Sequence, residues 1–273
     1  MNLPSVPEPE FRFRRCNGQP CHLRKMHLVM ANPRLSAEQV EQYRSDGYTL
    51  VKEPVFDDAT FAKLKGRFEE LLAEYGSDNL DTPHFRHPEL LEFLLSDTIL
   101  DLIEPVIGPN IGLWSSHFIS KDPFKGKATP WHEDSSYWNG RTSSMEGIVT
   151  VWLALDRATP ENGSMAVIPG SHTNGFSQYK DVVKPDEAIF DTEIVDVDES
   201  KAVYFSLEPN ECSLHEARII HGAKANTSPN RRAGYTMRYF PTSTKIHHDD
   251  PRNAGFKIWL ARGKDVAGNQ YEG

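Results

Sequence analysis

A mainly β fold with flanking α, a sandwich or barrel with helices packed on one side, follows from the order of signals along the chain. Helical periodicity is confined to residues 36 to 107, and beyond Gly108 short β-type runs separated by Gly, Pro, Asn and Asp clusters dominate. No internal repeat appears. The hydrophobic share of 38%, with 14 Phe, 9 Tyr and 5 Trp, is enough for a sizeable buried core.

Residues 1–34 combine Pro4, Pro7, Pro9 and Pro33 with scattered arginines and no periodicity, the pattern of a poorly ordered extension, with Met26 or Met30 as alternative starts. Residues 35–273 are expected to form one domain. Ser36-Ala37-Glu38-Gln39 is a capping box that opens a helix, Gly47 ends it, and Tyr48–Val51 reads as a strand. From Asp57, the residues Phe61, Leu64, Phe68, Leu71, Leu72 and Tyr75 recur at three- and four-residue steps up to Gly76, so this helix has one buried face. A further helical stretch runs from Pro88 to Ile107 with a break near Ser96-Asp97. Strands are expected at Gly112–Ser120, Gly147–Leu155, Ser164–Ile168, Ala202–Phe205, Glu211–Leu214, Ala217–Ile220 and Arg232–Phe240.

The balance of 30 Lys and Arg against 39 Asp and Glu, a formal charge of -9, disfavours nucleic acid or an anionic membrane as the main partner. Three cysteines, Cys16, Cys21 and Cys212, are too few for a disulfide framework and suit a reducing, cytoplasmic setting. No apolar run approaches the ~18 residues that span a bilayer, and no secretory signal pattern opens the chain.

The chemistry concentrates in Trp131-His132-Glu133-Asp134. Ligands at i and i+2 of an extended strand share a face and can chelate one metal. His221, after the apolar Ile219-Ile220, is placed to supply a third ligand from a later strand. Two histidines and a carboxylate on one face of an octahedron leave three positions open, enough for a bidentate 2-oxo acid and dioxygen, whereas a structural zinc site would take four ligands, usually with thiolates. A second match, His247-His248-Asp249-Asp250, lies in a polar turn before Pro251 and lacks the strand context. His172, His215 and an N-terminal set of Cys16, Cys21, His22 and His27 fit a ligand pattern less well.

Arg232 lies eleven positions after His221, at the start of the next expected strand, where an adjacent antiparallel pairing would bring its guanidinium near the metal while Arg231 faces the other way. Its planar fork suits the far carboxylate of a dicarboxylate such as 2-oxoglutarate. Spacing alone leaves a bland alternative open, in which these are ordinary polar residues at strand ends.

From about Ser36 to Phe240 the chain resembles the phytanoyl-CoA dioxygenase family. The resemblance rests on Gly108-Pro109-Asn110-Ile111, Trp131-His132-Glu133-Asp134, Ala158-Thr159-Pro160-Glu161-Asn162-Gly163-Ser164, Ile168-Pro169-Gly170-Ser171-His172, and His221-Gly222-Ala223-Lys224-Ala225-Asn226 through Arg232. It implies a double-stranded β-helix (jelly-roll, cupin-like) core, His132, Asp134 and His221 as ligands of Fe(2+), Arg232 as the clamp on the 2-oxoglutarate carboxylate, and His117 and Trp152 as further cosubstrate contacts. Ala223 stands where the family often has Ser, and Glu133 where Gln is frequent. Asp134 is kept where the related halogenating enzymes have a small residue, so hydroxylation of a small-molecule substrate by O2, with release of succinate and CO2, is the implied outcome. Two rivals stay open: a cupin-like metalloenzyme of another class, and a non-catalytic sensor of metal and 2-oxo acid. The substrate, whether a CoA thioester or a free small molecule, and the oligomeric state are not legible, because specificity in such folds resides in loops.

Overall fold

The computed structural model of the protein describes residues 34–273. The expectations placed on residues 1–33, including the Cys16, Cys21, His22 and His27 set, lie outside the described residues.

Helix α1 (Ala37–Asp46) begins at the anticipated capping box, in which Gln39 N donates to the Ser36 hydroxyl and the Gln39 side chain accepts from Ser36 N; it ends at Gly47, in the left-handed region with φ 80°. Helix α2 (Asp58–Tyr75) starts on the Asp57 carboxylate, which accepts from Ala59 N and Thr60 N, and buries Leu64, Phe68 and Leu71. The stretch after Pro88 is interrupted as expected, into α3 (Leu91–Leu94) and α4 (Asp97–Ile107), because the Ser96 hydroxyl accepts from Ile99 N and begins a new helix. A short α5 (Asp134–Trp138) follows the metal motif.

The strands are β1 (Tyr48–Val51), β2 (Ile111–Lys121), β3 (Thr129–His132), β4 (Val149–Ala154), β5 (Met165–Val167), β6 (Tyr179–Asp181), β7 (Thr192–Ile194), β8 (Val203–Tyr204), β9 (Cys212–Glu216), β10 (His221–Ala223), β11 (Arg232–Pro241) and β12 (Trp259–Arg262). They form a six-stranded sheet in the order β1-β9-β4-β11-β2-β12, a four-stranded sheet β3-β10-β5-β8, and a separate β6-β7 hairpin. Every ladder is antiparallel. Two facing antiparallel sheets with the helices on the outer side of the larger one make the expected jelly-roll core, a sandwich rather than a closed barrel.

Side-chain alternation along β11 sorts the interior. Ala233, Tyr235, Met237 and Tyr239 point outward into a core shared with Leu64, Phe68 and Leu71 of α2, Leu100 and Ile103 of α4, and Val149, Val151 and Leu153 of β4. Phe118 and Tyr235 stack there at 3.9 Å. Arg232, Thr236 and Arg238 point the other way, into a cavity between the sheets.

Two local expectations need correction. Ala217–Ile220 is a turn rather than a strand: Ile219 N donates to Glu216 O at 3.1 Å, and pairing resumes only at His221. Its apolar residues are buried because the turn tucks inward, which mimics a strand signal. β10 and β11 are also not neighbours. The connection crosses from the small sheet to the large one, pinned by Asn226, whose Nδ2 donates to Lys121 O at 3.0 Å and Asn230 O at 2.8 Å. His221 and Arg232 therefore approach across the sandwich, not along a shared ladder. The strand expected at the metal motif is β3, which ends at His132, whereas β6, β7 and β12 carry no readable strand signal, because three or four residues of mixed polarity show too little periodicity.

Asn210 ties the entry of α2 to the large sheet. It is buried with φ 72°, its Oδ1 accepts from Phe56 N at 3.0 Å, and its Nδ2 donates to Phe56 O at 2.7 Å. Asn210→Ala leaves both backbone groups unpaired and replaces a residue that tolerates φ 72° with one that tolerates it less well, so we expect a loss of about 2–4 kcal/mol in urea unfolding; an unchanged midpoint would contradict this account of the junction.

Candidate metal and cosubstrate site

His132 closes β3, and His221 opens β10 directly opposite it in the ladder. This pairing sets the two imidazoles side by side, with ring centroids 4.1 Å apart. Asp134 is not on β3, as the spacing argument had it, but is the first residue of α5. The i, i+2 logic survives because Glu133 remains extended, at φ -116° and ψ 132°, and so turns Asp134 to the same side as His132.

The donor atoms of His132, Asp134 and His221 all lie within 4.8 Å of one another, and all three residues are buried. Asp134 Oδ1 is 3.8 Å from His132 Nε2 and 4.0 Å from His221 Nε2. Ligand bonds of about 2 Å place donors around a shared ion roughly 3–4 Å apart, so the set is close to binding geometry. Each ring is oriented by its other nitrogen: His132 Nδ1 lies 2.8 Å from Pro130 O and His221 Nδ1 lies 3.0 Å from Ile219 O. A backbone carbonyl can only accept, so Nδ1 donates in both rings and Nε2 is the atom turned toward Asp134. Burial, and then the neighbouring His221 ring, push His132 down to about 3, which keeps it unprotonated at neutral pH.

Burial, the largest single influence, would raise the Asp134 carboxyl, but the Arg238 guanidinium and the His221, His132 and His215 rings together outweigh it and hold the group below the usual carboxylate range. Arg238 Nε donates to Asp134 Oδ2 at 3.3 Å, and the Thr150 hydroxyl lies 3.4 Å from the same oxygen. Oδ1 is thereby left toward the two imidazoles. Arg238 escaped the sequence reading, although its spacing of six from Arg232 on one strand puts both on the same face, a signal of period two that was available.

Arg232 is buried at 3% exposure, and its Nε and Nη2 both donate to Gly163 O, at 3.0 and 2.7 Å. Its Nη1 has no partner. Burial lowers the guanidinium to about 10, still charged at neutral pH. A buried cation with one orphaned donor is costly by itself, and an anion in the cavity it lines would satisfy it. Arg231, as expected, turns away and pairs with Glu69 and Asp156.

Trp152 lies under Arg232, with the guanidinium carbon 5.1 Å from its ring centre. His117 is on β2, about a third exposed, with Nδ1 3.7 Å from Asp81. Both residues line a cavity of about 420 Å³ together with His132, Asp134, His221 and Arg232. Ala223 lines it too, as does Thr129, its partner on β3.

The other histidines separate cleanly. His172 lies against α1, its Nε2 3.2 Å from Arg44 O. His247 contacts Gly140 O, and Asp250 pairs with Arg252, so the second match does not converge on a site. His215 is buried 5.0 Å from the His221 ring with Nδ1 unpartnered, yet it is outside the converging donor set. Glu133 points away from the imidazoles, accepting from Ser177 N at 3.1 Å and from the Ser177 hydroxyl, and so fastens the approach to β6 beneath the metal motif.

Gly234 sits between Arg232 and Thr236 on the inner face, where an added β-carbon would lie 2.2 Å from Trp152 Cζ2. Absence of a side chain is what lets the indole lie flat beneath the guanidinium. Gly234→Ala is expected to cost about 1–3 kcal/mol of stability by overpacking and to shift the tryptophan emission; urea unfolding followed by fluorescence checks this, and unchanged stability and emission would mean the indole is not wedged there.

The family model for phytanoyl-CoA dioxygenase matches residues 34–234. Human peroxisomal phytanoyl-CoA dioxygenase is 26% identical over 258 residues, covering 84% of this chain and 75% of that protein. A probable alpha-ketoglutarate-dependent hypophosphite dioxygenase of Stutzerimonas stutzeri is 26% identical over 235 residues, 74% of this chain and 78% of that protein. Among solved structures, EctD from S. alaskensis with bound Fe superposes with a TM-score of 0.65 at 20% identity, covering 87% of this chain and 88% of that one, a likeness of fold. With three quarters of its length inside the family model, its jelly-roll sheets and its buried His-Asp-His cluster, the chain belongs to the phytanoyl-CoA dioxygenase family.

Proposed function

We propose that the protein is an Fe(II)- and 2-oxoglutarate-dependent dioxygenase that hydroxylates a small organic molecule, with His132, Asp134 and His221 as the iron ligands and Arg232 as the cosubstrate clamp. The observation that carries the assignment is one cavity lined both by three converging buried donors and by a buried guanidinium with an orphaned Nη1. Two nitrogens and one carboxylate oxygen suit a divalent first-row metal with positions left for other ligands. A metallohydrolase on the same triad gives the orphaned guanidinium no task.

Iron, when bound, supplies the coupling of dioxygen reduction to oxidative decarboxylation of 2-oxoglutarate into succinate and CO2. The chain supplies placement. Pro130 O and Ile219 O fix the imidazole orientations, and Arg238 keeps Asp134 ionised and turned toward them. Arg232 Nη1 donates to the far carboxylate, with Trp152 beneath it excluding water. His117 reaches the same cavity wall as a further contact for the cosubstrate. Phe190 of the β6-β7 hairpin, whose ring meets His132 edge-on at 5.0 Å, and Tyr137 of α5, 5.4 Å from Phe190, cover the His132 imidazole.

Among the described residues no helix is long and apolar enough to cross a membrane. Buried Cys212 is a free thiol, which agrees with a reducing compartment, and we read the chain as cytoplasmic on that ground. The formal charge of -9 supports a small-molecule rather than a nucleic-acid partner.

Anaerobic titration of Fe(II) and 2-oxoglutarate into the apoprotein tests the assignment. A weak visible charge-transfer band is expected in the wild type and absent in His132→Ala. Arg232→Ala removes charge-assisted hydrogen bonds and should weaken 2-oxoglutarate binding by about 10- to 100-fold. Admitting oxygen should release succinate, which separates an enzyme from a sensor. Bound iron with no band in the wild type would remove the 2-oxoglutarate assignment.

A further inference from the structure

The end of the cavity away from Arg232 carries a second guanidinium that the reaction outlined above does not use. Arg141 follows α5 in the chain and lines the cavity. Its Nε donates to Asn253 Oδ1 at 2.8 Å, and Asn253 Nδ2 in turn donates to Arg141 O and His247 O, both at 2.9 Å. The guanidinium carbon is 5.1 Å from the Trp114 ring centre and 4.9 Å from that of Phe256. The cation is thus held by one hydrogen bond and two aromatic faces, an arrangement that fixes its direction without neutralising it.

Among the described residues that Nε bond is the one hydrogen bond the Arg141 side chain makes, and no carboxylate lies within ion-pair distance of it. Its neighbours are otherwise engaged: Asp250 is taken by Arg252 at 2.6 Å, and Arg238 by Asp134 at 3.3 Å. Asp81, the other acidic residue of the wall, is 69% exposed and faces His117.

Arg141 is also out of the way of the cosubstrate clamp. Along β11, Arg232 pairs with Lys121 and Arg238 with Ser115, so the two ends of the inner face are roughly 20 Å apart at about 3.4 Å per residue. Trp114, on which Arg141 lies, belongs to the Ser115 end. A dicarboxylate held at Arg232 leaves Arg141 free. Between Arg141 and the triad the wall is aromatic, with Trp114 and Trp138 6.1 Å apart and Trp138 under Arg238 at 5.4 Å.

The geometry points to Arg141 as the anchor of the organic substrate: a small carboxylic acid whose carboxylate lies on the free Nη1 and Nη2 and whose apolar body runs along Trp114 and Trp138 toward His132, Asp134 and His221. A planar fork with two free N–H edges is matched to a carboxylate. The cavity, about 420 Å³, has to admit the cosubstrate as well, so the part of the substrate inside it is small. This inference rests on the dioxygenase reading for the position of the reacting end only; the anion site stands on Arg141 itself.

The test is calorimetric titration of phenylacetate and hexanoate, beside their neutral amides phenylacetamide and hexanamide, into wild type, Arg141→Gln and Arg141→Lys. Each is used both metal-free and loaded with Fe(II) and 2-oxoglutarate under anaerobic conditions. At least one acid should bind wild type about tenfold or more tightly than its amide, the effect of a charge-assisted pair. Arg141→Gln should abolish that preference and Arg141→Lys keep part of it, with 2-oxoglutarate affinity, read from the visible band, changed less than about twofold. The inference is overturned if neither acid outbinds its amide, if the preference survives Arg141→Gln, or if Arg141→Gln weakens 2-oxoglutarate as Arg232→Ala does. Acid preference in the metal-free protein with no band in the loaded one would instead remove the dioxygenase reading and leave the anion site standing.

Discussion

The two-residue alternation of β11 is the constraint on which the rest of the structure depends. One strand, central in the large sheet, has to satisfy an apolar helical layer on one side and a charged cavity on the other. Its odd positions are Ala, Tyr, Met and Tyr, and its even positions Arg232, Gly234, Thr236 and Arg238. A slip of one residue would bury two guanidiniums against α2 and α4 and turn tyrosines onto the histidines. The ladders on both sides hold the register, β2 from Arg232 to Arg238 and β4 from Gly234 to Tyr239.

The charges inside follow from that register. A buried guanidinium is tolerable when matched, and each inner arginine is matched differently. Arg238 is paired with Asp134 within the chain, which makes the carboxylate a fixed feature of the site. Arg232 has only a backbone carbonyl and an indole, and no carboxylate among the described residues pairs with it. Arg141, off the strand, has an amide and two aromatic faces. The interior thus presents two guanidiniums without a carboxylate partner to one cavity, the arrangement that the proposed anion sites rest on.

Much of this was legible in the sequence because it is written in local patterns. The capping box at Ser36, the helix face from Phe61 to Tyr75 and the break at Ser96 each depend on residues a turn apart, and each is present in the structure. His132, Asp134 and His221 are singled out by type and spacing together with the family resemblance, spacing alone leaving an ordinary reading open, and the structure brings them together. What spacing could not give was the partnership of elements. It put Asp134 on a strand that ends at His132 and set β11 beside β10, because nothing in residues 224–231 announces that the chain changes sheets. Arg238 and Arg141 were missed for related reasons. The first needed a count along the strand, and the second sits in a loop whose direction is decided by Asn253, over a hundred residues later.

The claim that the cavity is built around an iron ion and two separate carboxylate sites is tested most directly by crystals grown anaerobically with Fe(II) and 2-oxoglutarate, measured at the iron absorption edge. The account predicts one anomalous peak bounded by His132 Nε2, Asp134 Oδ1 and His221 Nε2, with the far carboxylate of 2-oxoglutarate on Arg232 Nη1 and the Arg141 fork still open. An iron peak elsewhere, or 2-oxoglutarate extended onto Arg141 instead of Arg232, would contradict it.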